Sequence, residues 1–297
     1  VHPVRTARPV SRLGCWLTGG PATDGRSPAL DRIGALAEAA EQAGFDSLWV
    51  TDQQLPARDD VAGSGLDGLE AYSLLGALAT LTRTMRLGVL PLGPDPRHPS
   101  VVAKMVTTVD VISDGRAILT YGMASMEQPD TDRVIESLRV GRAMLEEEVP
   151  TVAGSMYAID RAFNRPRPVQ AGGVPRTLVG PEGGSGVGLA AVARAGAVDA
   201  VIVRAGREDS DGAGDLNAVV ADLDDVPCQV IASIGAASDP HSRFGTEPGL
   251  DTAQVVDRVR VAVATGADGC LVPFALNTRP ADLDRVATAA LAALDEP

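Results

Sequence analysis

Along 297 residues a short, continuous apolar run is followed, again and again, by a longer segment whose apolar positions recur at spacings of three and four. The runs RLGCWL (Arg12–Leu17), SLWVT (Ser47–Thr51), RLGVLP (Arg86–Pro91) and AILTY (Ala117–Tyr121) read as strands. So do RTLVG (Arg176–Gly180), AVIV (Ala200–Val203), QVIASI (Gln229–Ile234) and GCLVPF (Gly269–Phe274). Helical segments lie between them, from ALDRIGALAEAAEQAG, stopped by Gly44, to PADLDRVATAALAAL. Strands that are apolar throughout, rather than alternating, are buried on both faces, as in a parallel sheet. Eight such pairs predict one α/β domain over 1–297, a (β/α)8 TIM barrel. An open doubly wound sheet is the alternative, but no GxGxxG follows the first strand to start a dinucleotide fold. The stretch from Val149 to Pro175 carries no repeat and reads as a surface excursion.

Charge and composition restrict the partners. A net charge of −13 repels nucleic acid and anionic membrane surfaces alike. Aromatic residues make up 3% of the chain, so few platforms exist for stacking bases or sugars. No apolar run is long enough to span a bilayer, and the start VHPVRTARPVSRLG reads as no signal peptide. Cys15, Cys228 and Cys270 are odd in number and far apart, which predicts reduced thiols, a cytoplasmic location and no metal site. No GxSxG follows a strand, so a hydrolase triad has no footing.

In a barrel, function sits just after the strands. Proline cannot donate to a sheet ladder, so Pro91 at the end of the third strand predicts a bulge with a cis Leu90–Pro91 bond. A trans proline ending the strand early is the other reading. Arg97-His98-Pro99 reads as a structural helix start, with Pro99 at the first helical position. Gly180-Pro-Glu-Gly-Gly-Ser-Gly186 precedes a helix, where glycine amides suit an anion or form a plain tight turn.

Several of these pieces together, GFDSLWVTD (Gly44–Asp52), RLG…RHP…K, PRPVQ (Pro166–Gln170), the glycine loop and GADGCLVPF, resemble the luciferase-like monooxygenase family. Its members bind FMN or the deazaflavin coenzyme F420. The resemblance implies an oxidoreductase acting on a small organic substrate, with F420 as cofactor, or FMN, or none. It also implies a homodimer. It puts Asp52, Gln53 and Ser125 at catalytic positions. Asp52, Leu90, Pro91, Gly122 and Gly180 are implied as cofactor contacts, and Gly183, Gly184, Ser185 and Gly186 as the phosphate-holding turn. Asp52 otherwise reads as a cap on the following loop.

Three positions depart from the family pattern. Gln53 stands where relatives have a His, and Gln cannot exchange a proton near neutral pH. Ser125 and Ala57 stand where sugar- and alcohol-oxidising relatives carry Glu and Trp. Sugar or alcohol oxidation is therefore not expected, whereas enone reduction needs less acid–base help. A barrel that has lost catalysis and binds a ligand or a second copy is the competing expectation.

Overall fold

The computed structural model describes residues 10–18, 29–52, 69–91, 93–123, 131–180, 188–204, 212–234, 251–275 and 278–296. Strands and helices alternate: β1 (Leu13–Thr18), α1 (Ala29–Gln42), β2 (Ser47–Asp52), α2 (Ala71–Leu81), β3 (Arg86–Pro91), α3 (Pro99–Ile112), β4 (Leu119–Gly122) and α4 (Thr131–Glu146). After a two-residue hairpin, β5 (Val152–Ala153) and β6 (Ala158–Ile159), come β7 (Arg176–Val179), α5 (Leu189–Gly196), β8 (Ala200–Arg204) and α6 (Gly212–Asp222). The last units are β9 (Gln229–Ser233), α7 (Thr252–Ala264), β10 (Gly269–Ala275) and α8 (Pro280–Leu294).

Eight strands form one parallel sheet in the order β3-β2-β1-β10-β9-β8-β7-β4. Its two edges meet in a parallel bridge between Leu87 and Ala117. Leu87 donates to Arg116 O at 2.8 Å and accepts from Ile118 N at 2.9 Å. The sheet is thus a ring with eight helices outside it, the expected (β/α)8 barrel. Val149–Pro175 holds the β5–β6 hairpin, paired antiparallel.

Side-chain alternation separates two cores. Leu48, Val50, Leu87, Val89, Leu119 and Tyr121 join the large cluster between strands and helices. Trp49, Leu90, Ile118, Val179, Ile202, Ile231 and Leu271 fill the ring. The pairing registers group the inward residues into layers of four from alternate strands, as in other barrels of this kind. Gly14, Gly88, Thr177 and Ile231 make one layer, and Trp49, Thr120, Ile202 and Leu271 the next. Trp16, Leu90, Val179 and Ser233 lie above those, with Thr51, Gly122 and Pro273 at the top beside the backbone of Arg204.

Trp49 explains the glycines beneath it. A Cβ on Gly88 would stand 2.6 Å from its ring, and one on Gly14 3.0 Å from its Nε1. The missing side chain of Gly88 makes room for the indole, and that of Gly14 for Ser47 Oγ and Leu271 as well as the indole edge, whose Nε1 donates to Ser47 Oγ at 2.8 Å.

Pro91 corrects an expectation. Among the described residues the cis bond is Arg165–Pro166, and Leu90–Pro91 is trans. The reason is topological. Successive residues of a parallel strand bond to opposite neighbours, and Arg86 N bonds toward β2 while Leu87 bonds toward β4. Pro91 has the parity of Leu87, so its missing N–H faces the side where the β4 ladder has ended. No bulge is needed. Pro273 uses the same device: it faces β9 beyond the last register pair, Leu271 with Ser233.

Candidate active site at the barrel mouth

The upper ends of β1, β2 and β3 supply the best-defined wall of the mouth. Trp16 packs on the inner cluster and is the partly exposed member of its layer, whereas Leu90 and Val179 are sealed at 0% and Ser233 at 4%. Its indole Nε1 donates to Thr51 Oγ1 at 2.8 Å. That bond joins β1 to β2 at the rim and fixes the plane of the ring. Pro273, in register with Trp16 on β10, continues the wall. Deeper down, Thr120 Oγ1 and Thr177 Oγ1, on the adjacent strands β4 and β7, are buried with no hydrogen-bond partner among the described residues.

Asp52 has the parity of Leu48 and Val50, and its carboxylate is held on the helix side of β2. Arg97 Nη1 donates to Asp52 Oδ2 at 2.7 Å and to Asp95 Oδ2 at 3.0 Å, and Nη2 to Glu70 Oε1 at 3.1 Å. The guanidinium also lies 5.6 Å from the centre of the Tyr72 ring. Burial works against the Arg97 charge, but its hydrogen bond to Asp52 and the charges of Asp95 and Asp52 outweigh it and raise its pKa above the ordinary guanidinium value. Burial, then the charge on Asp95, pushes the Tyr72 phenol well up. Asp52 and Glu70 flank residues 53–68, so one cation ties both ends of that stretch.

His98 is the N-cap of α3, accepting from Ser100 N at 3.3 Å, with Pro99 at the first position. This is the structural helix start expected. Its ring packs edge-on against Tyr157, 5.2 Å between centres. Arg133 Nε of α4 donates to Tyr157 Oη at 2.9 Å. The β5–β6 excursion therefore reaches back to the mouth side of α3 and α4.

The remaining expected residues divide in two. Leu90 lines the interior, and Gly122 makes a close approach: a Cβ there would stand 2.5 Å from Gly93 O and 3.1 Å from Pro91 Cβ. Its missing side chain makes room for the turn after β3. Gly180 extends the β7–β8 pairing by one bond, to Ile202 O at 2.9 Å. Gln53, Ala57, Ser125, Gly183, Gly184, Ser185 and Gly186 lie outside the described residues. The N-cap of α5 is Gly188, with φ 85° and no side-chain hydrogen bond.

The described residues hold no cluster of three or more metal-ligating side chains. The three cysteines are buried; desolvation pushes Cys270 up to about 12 and Cys15 higher still, so neither of these two is a thiolate nucleophile. No helix among the described residues is long and apolar enough to cross a membrane.

A family model described as luciferase-like monooxygenase matches residues 11–213, more than half the chain. The protein belongs to the luciferase-like monooxygenase family. This family includes F420-dependent oxidoreductases and FMN-dependent monooxygenases. An F420-dependent glucose-6-phosphate dehydrogenase from Nakamurella multipartita is 32% identical over 146 residues, 45% of this chain and 42% of that protein. The match thus spans less than half of the relative. An F420-dependent secondary alcohol dehydrogenase solved with an F420–acetone adduct superposes with TM-score 0.70 at 15% identity, covering 96% of this chain and 99% of that one. The oxygenating constituent of 3,6-diketocamphane monooxygenase from Pseudomonas putida, solved with FMN, gives TM-score 0.65 at 13% identity, covering 94% and 98%. These two likenesses describe the fold.

Trp16 and Thr51 are the residues that sequence reasoning passed over, and Arg97 was read only as part of a helix start. Trp16 stood inside a strand, where a core role sufficed. The signal available was scarcity: the chain has two tryptophans, and both stand on strands.

Proposed function

We propose that this luciferase-like barrel is an F420-dependent oxidoreductase, with FMN as the alternative cofactor, that transfers hydride to a small organic substrate. The observation that carries the reading is the chemistry of the mouth. Its described inward side chains, Trp16, Leu90, Val179, Ser233, Thr51 and Pro273, are all uncharged. Such a wall fits a flat ring better than a sugar phosphate. When bound, the cofactor supplies the hydride chemistry, and the protein supplies position and dryness. Trp16 and Thr51 shape the wall, Arg97 steadies the end of β2 through Asp52, and the glycine-rich residues 180–186 that precede α5 would hold the phosphate. Among the described side chains this wall has no acid–base group, which favours reduction of a polarised double bond over oxidation of an alcohol.

The competing reading, a barrel without catalysis, is favoured by the Asp52 carboxylate being engaged with Arg97 rather than turned into the ring. One experiment separates them. Purified protein is titrated with F420 and with FMN, followed by cofactor fluorescence, and then supplied with reduced F420 and a small α,β-unsaturated ketone. Saturable F420 binding with ketone-dependent reoxidation supports the enzyme. No binding of either cofactor at tens of micromolar supports the non-catalytic barrel.

A homodimer through α2 and α3 belongs to the same proposal. Helix α2 carries no charged residue, and its outward positions Ser73, Gly76, Ala77 and Thr80 are partly or fully exposed, while on α3 Lys104 is the charge beside the exposed Val101 and Thr108. Two copies of a chain with net charge −13 repel each other least across an uncharged face. A cytoplasmic location suits three buried, widely spaced cysteines.

A further inference from the structure

We propose that Trp16 is the ring-contacting residue of the mouth: the flat conjugated ring of the cofactor packs on its indole, and Thr51 fixes the orientation of that surface. The inference rests on the oxidoreductase reading and goes further, because it assigns a stacking role that neither the sequence motifs nor the comparisons supply.

Exposure is the first argument. In its layer Leu90, Val179 and Ser233 are sealed, so Trp16 is the member that solvent, or a ligand, can touch. Hydrogen bonding is the second. An indole has a single donor, and Trp16 gives it to Thr51 Oγ1 at 2.8 Å. What remains is apolar π surface in a fixed plane, which selects flat, conjugated partners over hydroxylated ones. Fixing the plane beforehand also removes part of the ordering cost of binding.

The third argument is allocation. Trp49 is buried one layer below, Phe45 and Phe274 pack edge to face outside the ring, and Tyr157 lies on His98. Among the described residues Trp16 is the aromatic side chain left at the inner wall of the mouth. Its neighbour Pro273 has no N–H to offer, so the wall beside it stays apolar.

The test uses W16L, W16F and T51V in the full chain, with F420 and FMN as separate probes. Affinity is read from cofactor fluorescence anisotropy, and stacking from the long-wavelength shoulder of the bound cofactor's absorption. W16L keeps an apolar side chain but no ring, and should weaken binding about tenfold or more and lose the shoulder. W16F should stay within about threefold, because a ring is restored. T51V should fall between, with an unchanged melting curve. Without cofactor, acrylamide should quench part of the wild-type tryptophan emission and almost none in W16F, where the sealed Trp49 alone emits.

W16L binding like the wild type, or W16F losing as much as W16L, overturns the inference while leaving the oxidoreductase reading in place. A wild type that binds neither cofactor overturns both. If W16L does not fold, T51V decides: a shoulder and affinity unchanged in T51V overturn the inference, and an altered shoulder with weaker binding and an unchanged melting curve supports it.

Discussion

Arg97 places one positive charge among Asp52, Asp95 and Glu70, with Arg97 itself 22% exposed and Asp52 5%. Removing the cation leaves three carboxylates facing each other, two of them largely withdrawn from water. R97M should therefore cost roughly 2–3 kcal/mol in urea unfolding, and D52N/R97M should recover part of that, since the double variant has one charge fewer to strand. A cycle with no coupling between the two positions would mean that the ion pair contributes nothing. None of this was legible in the sequence. Asp52 and Arg97 are 45 residues apart, and whether Asp52 faces the ring or the helices depends on the phase of β2. Strand phase is set by packing against β1 and β3, not by any local signal. His98 was legible for the opposite reason: a cap followed by proline is a local pattern, and its consequence is local.

The hairpin of β5 and β6 is secured by one carboxylate from α4. Glu136 accepts from Ser155 Oγ and from the amides of Ser155, Met156 and Tyr157, and these bonds, the Ser155 hydroxyl first, lower its pKa from the ordinary 4.5 to about 2. A depressed carboxylate stabilises the folded arrangement fully above its unfolded value and loses that contribution as pH falls through the folded one. Between pH 4.5 and about 2 the hairpin should loosen in wild type, read as shifts of the Tyr157 amide signal. E136Q should show the looser hairpin already at neutral pH and no acid step in that window. A second element-level device is Arg116, buried at 9% exposure, which donates to Ala79 O, Thr82 O, Thr82 Oγ1, Met85 O and Ser113 O. It caps the end of α2 from the start of β4. R116M strands those carbonyls and should cost about 3 kcal/mol or more, measured by denaturant unfolding. The strands and helices themselves were readable because period and burial agree in them. The path of Val149–Pro175 was not, because many of its contacts are polar and come from other elements, Glu136, Arg133 and Asp110 among them, and no period marks them.

At the scale of the whole barrel, Gly14 and Gly88 under Trp49 mean that the layers are fitted to one another. G88A drives a methyl into the indole and should destabilise by roughly 1–3 kcal/mol, with W49F in the same chain relieving most of it. Gly76 makes the opposite case. A Cβ there meets nothing within 4 Å of the isolated chain, so G76A should gain about 1 kcal/mol from helix propensity. If a second copy covers α2, that gain disappears and dimer dissociation, followed by light scattering, becomes easier; an unaltered gain at dimer-forming concentration argues against this face. The barrel was legible as a count of repeats, but Pro91 was not, since which neighbour a strand residue bonds is decided only once the ring is closed. That closure has a mechanical meaning. Seven junctions of the ring are multi-residue ladders, while β3 and β4 are joined through the two bonds of Leu87. The sheet behaves less like a hoop than like a split collar, and what gauges its bore at the upper end of the split is the turn at Gly93 resting on the bare backbone of Gly122.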